Sequence, residues 1–246
     1  MTTVRVSRDR LDRQLVDRGL VESREKAQAL IMAGEVLVDG RKAQKPGETV
    51  TTTSHIELLA RPRFVGRGGI KMQAALDHFG VAPAGMVCLD VGASTGGFTD
   101  CLLQNGAVRV HAVDVGHGQF DWKLRNDPRV VVYEGLNARH LTLEQIGESV
   151  DLAVCDVSFI SVTLILPAVV PILKTGGQMI VLVKPQFEAG RDQVGKGGIV
   201  RDPAVQQAAC DRVAAAVEAL GFRWSTVDSP IEGAEGNREI LLHAQR

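Results

Sequence analysis

Aromatic residues are scarce, 4% of 246, with one tyrosine, two tryptophans and seven phenylalanines. The core must therefore be mainly Val, Leu, Ile and Ala. Cysteine is nearly absent too. The four present, Cys88, Cys101, Cys155 and Cys210, lack paired short spacing, which excludes a disulfide framework. Two of them lie inside apolar runs and read as core thiols in a reduced compartment. The six histidines are scattered without ligand spacing, so no metal site is expected. No uncharged stretch is long enough to span a bilayer. The longest, Val157 to Leu173, carries Pro167 and Pro171 and reads as a buried helix. The opening MTTVRVSRDRLDR has no apolar signal region, and a cytoplasmic location is expected. Internal repeats and low-complexity segments are missing as well.

Net charge is also missing, at −1, but its distribution is uneven. Residues 1–71 hold 14 Lys and Arg against 9 Asp and Glu, whereas the remaining 175 hold 14 against 20. A basic front on an acidic body points to an anionic partner gripped by the front.

What is present begins with two short amphipathic helices in residues 8–33. Leu11, Leu15 and Val16 mark the first, which Gly19 stops. Ser23 is placed to cap the second, whose apolar face is Ala27, Leu30 and Ile31 and which Gly34 ends. A strand, an Asp39-Gly40 turn and an extended return then form a hairpin, and His55 to Leu59 reads as a last strand. Arg10-Leu11-Asp12, Ser23-Arg24 and Ile31 through Gly34-Glu35-Val36 to Asp39-Gly40 carry a resemblance to the α-L RNA-binding domain. That module is shared by a small-subunit ribosomal protein, many pseudouridine synthases and bacterial tyrosyl-tRNA synthetases. The resemblance implies phosphate contact by Arg10, Arg18, Arg24, Lys26, Arg41, Lys42 and Lys45. The basic, turn-prone linker Ala60–Gly69 adds Arg67 and sets the expected domains at 1–63 and 64–246.

The body alternates strand and helix as an α/β, doubly wound sheet. Strands are expected at 86–90, 108–114, 129–133, 151–156, 178–184, 222–228 and 239–243, and helices at 97–105, 141–147, 160–173 and 203–220. Ligands bind such sheets beyond the carboxyl ends of the strands. Asp90, Asp114, Asp156 and Lys184 all fall there. Met86 to Thr99, MVCLDVGASTGGFT, reads as a strand feeding a helix through a loop too small to block a ligand. Gly92-Ala93-Ser94-Thr95-Gly96-Gly97 lacks the G-x-G-x-x-G spacing of a nicotinamide site. Asp114 suits the ribose hydroxyls of either NAD or S-adenosylmethionine. Gly190 to Lys196 fits phosphate-loop spacing, but Gly197 follows in place of Ser or Thr, and a mobile loop with Gly195, Gly197 and Gly198 as joints fits better.

The acid-then-glycine start Asp90-Val91-Gly92, with Gly96-Gly97 opening the helix, resembles motif I of class I methyltransferases. The body as a whole is similar to FtsJ-like ribose methyltransferases, and the chain nearly end to end resembles the TlyA family of ribosomal RNA 2′-O-methyltransferases. Five motifs carry this: Gly66-Arg67-Gly68-Gly69-Ile70-Lys71, the Asp90–Thr99 loop, Cys155-Asp156-Val157-Ser158-Phe159, Val183-Lys184-Pro185-Gln186-Phe187-Glu188 and Gly236-Asn237-Arg238-Glu239. The resemblance implies a Rossmann-like sheet, S-adenosylmethionine as cofactor, cytidine in ribosomal RNA or ribosomal subunits as target, and a catalytic tetrad of Lys71, Asp156, Lys184 and Glu239. Asp90, Gly92, Ala93, Ser94, Thr95, Gly96, Gly97, Phe98, Asp114 and Asn137 become the cofactor-binding candidates. A ribose hydroxyl is a very weak acid, so a lysine held neutral is needed to take its proton; burial and a second cation both disfavour the charged form. Lys184 is the expected base, Lys71 positions the hydroxyl, and the two acids orient the lysines. Two other classes stay open: a non-catalytic RNA-binding or ribosome-assembly protein, and a membrane-active haemolysin, a label often given to members of this family.

Overall fold

A computed structural model describes residues 7–59, 63–233 and 236–246. The chain falls into two compact units, residues 1–62 and 63–246.

In the first unit β1 (Arg8–Arg10) leads into α1 (Leu11–Asp17), followed by α2 (Arg24–Met32), β2 (Val36–Val38), β3 (Arg41–Lys42), β4 (Thr49–Thr51) and β5 (Ile56–Leu58). Ser23 caps α2 by accepting from the Lys26 amide. Asp39 and Gly40 both take positive φ, 50° and 81°, as a tight hairpin turn requires. β2 pairs with β3 and β5, while β1 and β4 form a separate antiparallel pair that the charged stretch Arg8-Asp9-Arg10 did not announce. Leu11, Leu15, Ala27, Ile31, Val36, Val38 and Val50 make a small core.

Beside that core lies a buried carboxylate. Asp12 is fully buried and accepts from Arg10 Nε (3.0 Å) and NH2 (2.9 Å), Arg24 NH2 (3.0 Å) and Gln28 Nε2 (2.9 Å). The Arg10 hydrogen bonds, with those of Gln28 and Arg24, hold its carboxyl well below the usual range against the opposing effect of burial.

The second unit runs α3 (Gly68–Phe79), β6 (Val87–Val91), α4 (Gly97–Gln104), β7 (Arg109–Asp114), α5 (Trp122–Arg125), β8 (Val130–Glu134), α6 (Leu143–Ile146), β9 (Val150–Cys155), α7 (Leu166–Val169), β10 (Leu173–Val183), α8 (Pro185–Glu188), α9 (Pro203–Ala219), β11 (Arg223–Asp228) and β12 (Ile240–Gln245). Its seven strands order as β11-β12-β10-β9-β6-β7-β8. Strands β6 to β10 pair in parallel and β12 runs antiparallel between β10 and β11. Both faces of the sheet are covered. Leu89, Val91, Ala153 and Cys155 point into one core with α9, while Cys88, Leu152 and Val154 point into the other with α3 and α4. Burial on both sides is why these strands read as continuous apolar runs.

The expected helix at 160–173 is corrected. The segment is a 3₁₀ turn (Val162–Leu164), the single turn of α7 and a second 3₁₀ turn (Val170–Ile172), with Pro167 and Pro171 at the starts of the latter two. Proline has no N–H to continue a ladder, so the run restarts at each one. α3 also starts at Gly68, three residues before Lys71.

The chain passes from β6 out to β7 and β8, then returns to place β9 on the other side of β6. That reversal opens a crevice between the carboxyl ends of β6 and β9. Asp90, next to last in β6, is fully buried; its Oδ2 accepts from Thr99 N (2.9 Å) and Thr99 Oγ1 (2.6 Å), tying the strand to α4, while Oδ1 has no partner. Burial, opposed by the Thr99 bonds and reinforced by Asp156 and Asp114, pushes this carboxyl up to about 7.

Two outcomes follow for stability. Replacing Asp12 strands two guanidinium groups, and Asp12→Ala is expected to destabilise the first unit by roughly 2 kcal/mol at neutral pH. Because the Asp12 carboxyl is held low when folded, its contribution is present above the ordinary carboxylate range and lost on acidification; denaturant unfolding across pH checks both. Asp90 has the opposite sign. A carboxyl raised on folding destabilises increasingly as pH climbs from about 4 towards 7. Asp90→Asn is expected to match wild type near the lower end and to melt about 5 °C higher by about pH 8. A melting gap that does not widen with pH contradicts this assignment.

Candidate active site

The candidate loop after β6 is set by close backbone approaches. Gly92 has φ +86°, and a Cβ there would stand 2.4 Å from the carbonyl oxygen of Asp156. The same junction is closed by Asp156 N–H donating to Val91 O (2.9 Å). Thus the turn after β6 and the residue after β9 touch through backbone alone. Ser94, at φ 50°, donates its N–H to Asp114 Oδ2 (2.7 Å), and Gly116 N donates to Oδ1 (2.7 Å). Asp114 thereby holds two loops with one carboxylate.

A cleft of about 450 Å³ lies over this junction. Its walls are Val91, Gly92 and Ser94 from the β6 turn, Asp114 to Gly116 with Gln119 after β7, Leu136 to Arg139 after β8, and Asp156 to Ile160 with Ile165 after β9. The volume and mostly apolar walls suit a nucleoside-sized ligand. Of the cofactor candidates, Gly92, Ser94, Asp114 and Asn137 line the cleft. Asn137 also caps the turn after β8 by accepting from Arg139 N (3.1 Å). Ala93 lines a small adjoining hollow with Ser94 and Asp114. Asp90, Thr95, Gly96, Gly97 and Phe98 are not among the residues that line the cleft. Gly97 and Phe98 pack against the start of α3. A Cβ on Gly97 would lie 3.0 Å from Gly69 N and 3.2 Å from Gly68 Cα, while one on Gly68 would lie 3.1 Å from Phe98. The first turns of α3 and α4 therefore meet backbone to backbone, and that contact sets where Lys71 stands.

The tetrad forms two ion pairs. Lys71, buried in the first turn of α3, donates to Glu239 Oε2. Lys184, just after β10, places Nζ 2.6 Å from Asp156 Oδ1 and donates to Ser158 Oγ at 2.9 Å. Val183 pairs with Ile240 in the ladder, so Lys184 and Glu239 leave the sheet at the same level. Strand ends of β9, β10 and β12 thus deliver three members and α3 the fourth. The lysines are 8% and 9% exposed, low enough that each needs the carboxylate it has.

Four residues within the quoted motifs gain positions that the spacing did not assign. Asn237 is buried; its side chain accepts from Val200 N (3.0 Å) and donates to Gly198 O (2.9 Å), holding the end of the glycine-rich loop against the segment that carries Glu239. Arg238 grips Asp228 through paired hydrogen bonds. Phe159 is 91% exposed at the cleft, has φ +66° and meets Phe187 with ring centroids 5.3 Å apart. Glu188 is buried, accepting from Ser161 Oγ and from Val162 N (2.7 Å). The signal available for Phe159 was scarcity: an exposed phenylalanine stands out in a chain with seven.

Most basic candidates in the first unit are committed internally. Arg10 and Arg24 serve Asp12, and Arg18 donates to Gln14 and to the carbonyls of Thr51, Thr52 and Ser54. Lys26 pairs with Glu22 and Arg41 with Glu48. Lys42 and Lys45 stand exposed, with no acid paired to either among the described residues. In the second unit Arg67 donates to Glu232 O. Among the described residues no three His, Cys, Asp or Glu side chains gather as metal ligands, and no helix is long and apolar enough to cross a membrane.

Comparison with known proteins agrees with this geometry. The pattern of FtsJ-like methyltransferases matches residues 64–246 and that of the S4 domain matches residues 9–56. The chain is 48% identical over 240 residues to the 16S/23S rRNA (cytidine-2′-O)-methyltransferase TlyA of Mycobacterium tuberculosis, covering 96% of this chain and 89% of that one. It is 43% identical over 236 residues to Hemolysin A of Brachyspira hyodysenteriae, covering 95% and 98%. A solved structure from Streptococcus thermophilus that carries a hemolysin name superposes with a TM-score of 0.74 at 44% identity, covering 97% of this chain and 88% of the other. With a matched methyltransferase body, a matched S4 domain and relatives aligned nearly end to end, the chain belongs to the FtsJ-like methyltransferase family, among the TlyA proteins.

Proposed function

We propose that this enzyme methylates the 2′-hydroxyl of a cytidine ribose in ribosomal RNA, with S-adenosylmethionine as donor. The observation that carries the reading is the pair of buried lysine–carboxylate contacts, Lys71–Glu239 and Lys184–Asp156, beside a nucleoside-sized cleft at the sheet's switch point. The cleft suits the cofactor because Gly92 brings backbone within reach and Asp114 offers carboxylate lone pairs at its rim. When bound, S-adenosylmethionine supplies an electrophilic methyl group on a positively charged sulfur. Gly92, Ser94, Asp114 and Asn137 hold it.

The protein's own part is alignment and proton removal. Lys184 in its neutral form takes the proton of the ribose hydroxyl. Asp156 keeps that lysine in place and compensates the charge it acquires. Lys71, fixed by Glu239, donates to the attacking oxygen and stabilises its developing negative charge. Phe159, projecting into solvent at the cleft rim, offers a face for the target base, with Phe187 supporting it. The S4 unit, residues 1–63 with its linker, grips RNA phosphates, and Lys42 and Lys45, exposed and unpaired among the described residues, are candidates for that contact. Arg10, Arg18 and Arg24 contribute by positive field while holding the unit together. Action on ribosomal RNA places the enzyme in the cytoplasm.

Removing the base tests the reading. Lys184→Ala is expected to lower single-turnover methylation of ribosomal RNA by at least about 100-fold. S-adenosylhomocysteine affinity, measured by calorimetry, should stay within about threefold, since Lys184 does not line the cleft. Lys184→Arg should be equally inactive, because a guanidinium does not give up its proton. Methylation by Lys184→Ala at more than about a tenth of the wild-type rate removes Lys184 as base.

A further inference from the structure

Ser158 has no part in the mechanism so far, yet its hydroxyl oxygen receives a hydrogen bond from Lys184 Nζ at 2.9 Å while Asp156 Oδ1 lies 2.6 Å from the same nitrogen. A neutral amine has two N–H bonds and one lone pair in a tetrahedral arrangement. The Ser158 hydrogen bond fixes one N–H, and the Asp156 carboxylate, in ionic contact but without an aligned hydrogen bond, fixes the nitrogen from a second side, so the lone pair is left the remaining direction. With one acceptor the amine turns about its Cε–Nζ bond, and the lone pair is spread over the remaining positions. Lys71 shows the contrast: Glu239 is its sole side-chain partner among the described residues. It suits a lysine that donates, whereas a hydroxyl acceptor beside an ionic contact suits one that must present a lone pair.

Ser158 can serve only if its own position is fixed, and the loop is clamped at both ends. At one end Asp156 is packed against Gly92 and bonded to Val91. At the other, Glu188 accepts from Ser161 Oγ and Val162 N. Between them Phe159 adopts φ +66°, a conformation costly for a phenylalanine and sustained here by the anchored ends. Glu188 ends α8, the single turn that begins immediately after Lys184. A closed circuit results. Lys184 bonds Ser158, the loop runs to Ser161, Glu188 binds Ser161, and α8 returns to Lys184.

We propose that Ser158 is a positioning residue for the transfer, its oxygen acting with Asp156 to aim the Lys184 lone pair at the ribose hydroxyl. This rests on Lys184 being the base. Ser158→Ala should then lower single-turnover methylation at saturating S-adenosylmethionine about 10- to 30-fold, with the KM for ribosomal RNA within about twofold of wild type; because Ser158 also lines the cleft, S-adenosylhomocysteine affinity is measured alongside. Ser158→Thr keeps the oxygen and should stay within about threefold; Ser158→Val, of the same shape without the oxygen, should fall with alanine. The Thr and Val variants decide the matter even if the alanine protein folds poorly, and thermal melting of each verifies folding. Val and Thr equally active, Thr as impaired as Val, or a loss confined to cofactor affinity overturns the proposal. Lys184→Ala measured in parallel separates the failures. If it is inactive while Ser158→Val is normal, only the role of Ser158 falls; if it is active, the base assignment falls first.

Discussion

The site depends on one contact with no room in it. The turn after β6 and the residue after β9 press together at Gly92 and the Asp156 carbonyl, 2.4 Å from where any Cβ would sit. A doubly wound sheet opens a crevice at this point, and here the crevice floor is itself the joint between the cofactor loop and a catalytic acid. The same Asp156 contacts Lys184, so the loop and the lysine share one neighbour. Gly97 against Gly68 and Gly69 repeats the arrangement on the other side, where it sets Lys71. Small residues in these motifs let backbone segments meet.

Electrostatics then divides the tetrad. Lys71, Lys184 and Glu239 are buried and Asp156 partly so, and each lysine is matched with one carboxylate. Pairing offsets most of the desolvation cost, and the pairs differ in their surroundings. Lys184 donates its hydrogen bond to Ser158 and has an aromatic ring, Phe187, 6.0 Å away; Lys71 donates to its own carboxylate partner, Glu239. In the proposed mechanism this asymmetry goes with different work for two chemically identical side chains. The GNRE segment shows how much structure supports a single acid: Asn237 anchors it to the neighbouring loop, Arg238 to Asp228, and a Cβ on Gly233 would come within 2.7 Å of Glu239 Oε1.

Much of this was legible in the sequence because parallel strands buried on both faces write themselves as apolar runs, and the sheet rule then identifies residues at their ends. Asp114, Asp156 and Lys184 were found that way. Resemblance added Lys71 and Glu239, which lie in a helix turn and ahead of an antiparallel strand. What stayed hidden depends on contacts rather than spacing. The β1–β4 pair joins two three-residue strands, Arg8-Asp9-Arg10 and Thr49-Val50-Thr51, too short for any periodicity to mark. The run 157–173 looks helical because it is uncharged, yet its prolines break it. Asp90 carries the expected acid of motif I but faces Thr99 in the interior, not the cleft. Ser158 and Glu188 acquire meaning only once a turn with positive φ at Phe159 and the short α8 bring them to Lys184. Arg10, Arg18 and Arg24 read as phosphate ligands, and spacing alone did not show that Asp12 also engages Arg10 and Arg24 or that the carbonyls of Thr51, Thr52 and Ser54 engage Arg18.

The central claim is the chemistry itself, transfer to a ribose oxygen. The direct measurement is mass mapping of ribosomal RNA after incubation of ribosomal subunits with this protein and isotopically labelled S-adenosylmethionine. The expected result is label on the 2′-oxygen of cytidine, seen as a nucleoside that resists alkaline cleavage at its 3′ side. Label on a base, or no incorporation into RNA while the cofactor is bound, would contradict it.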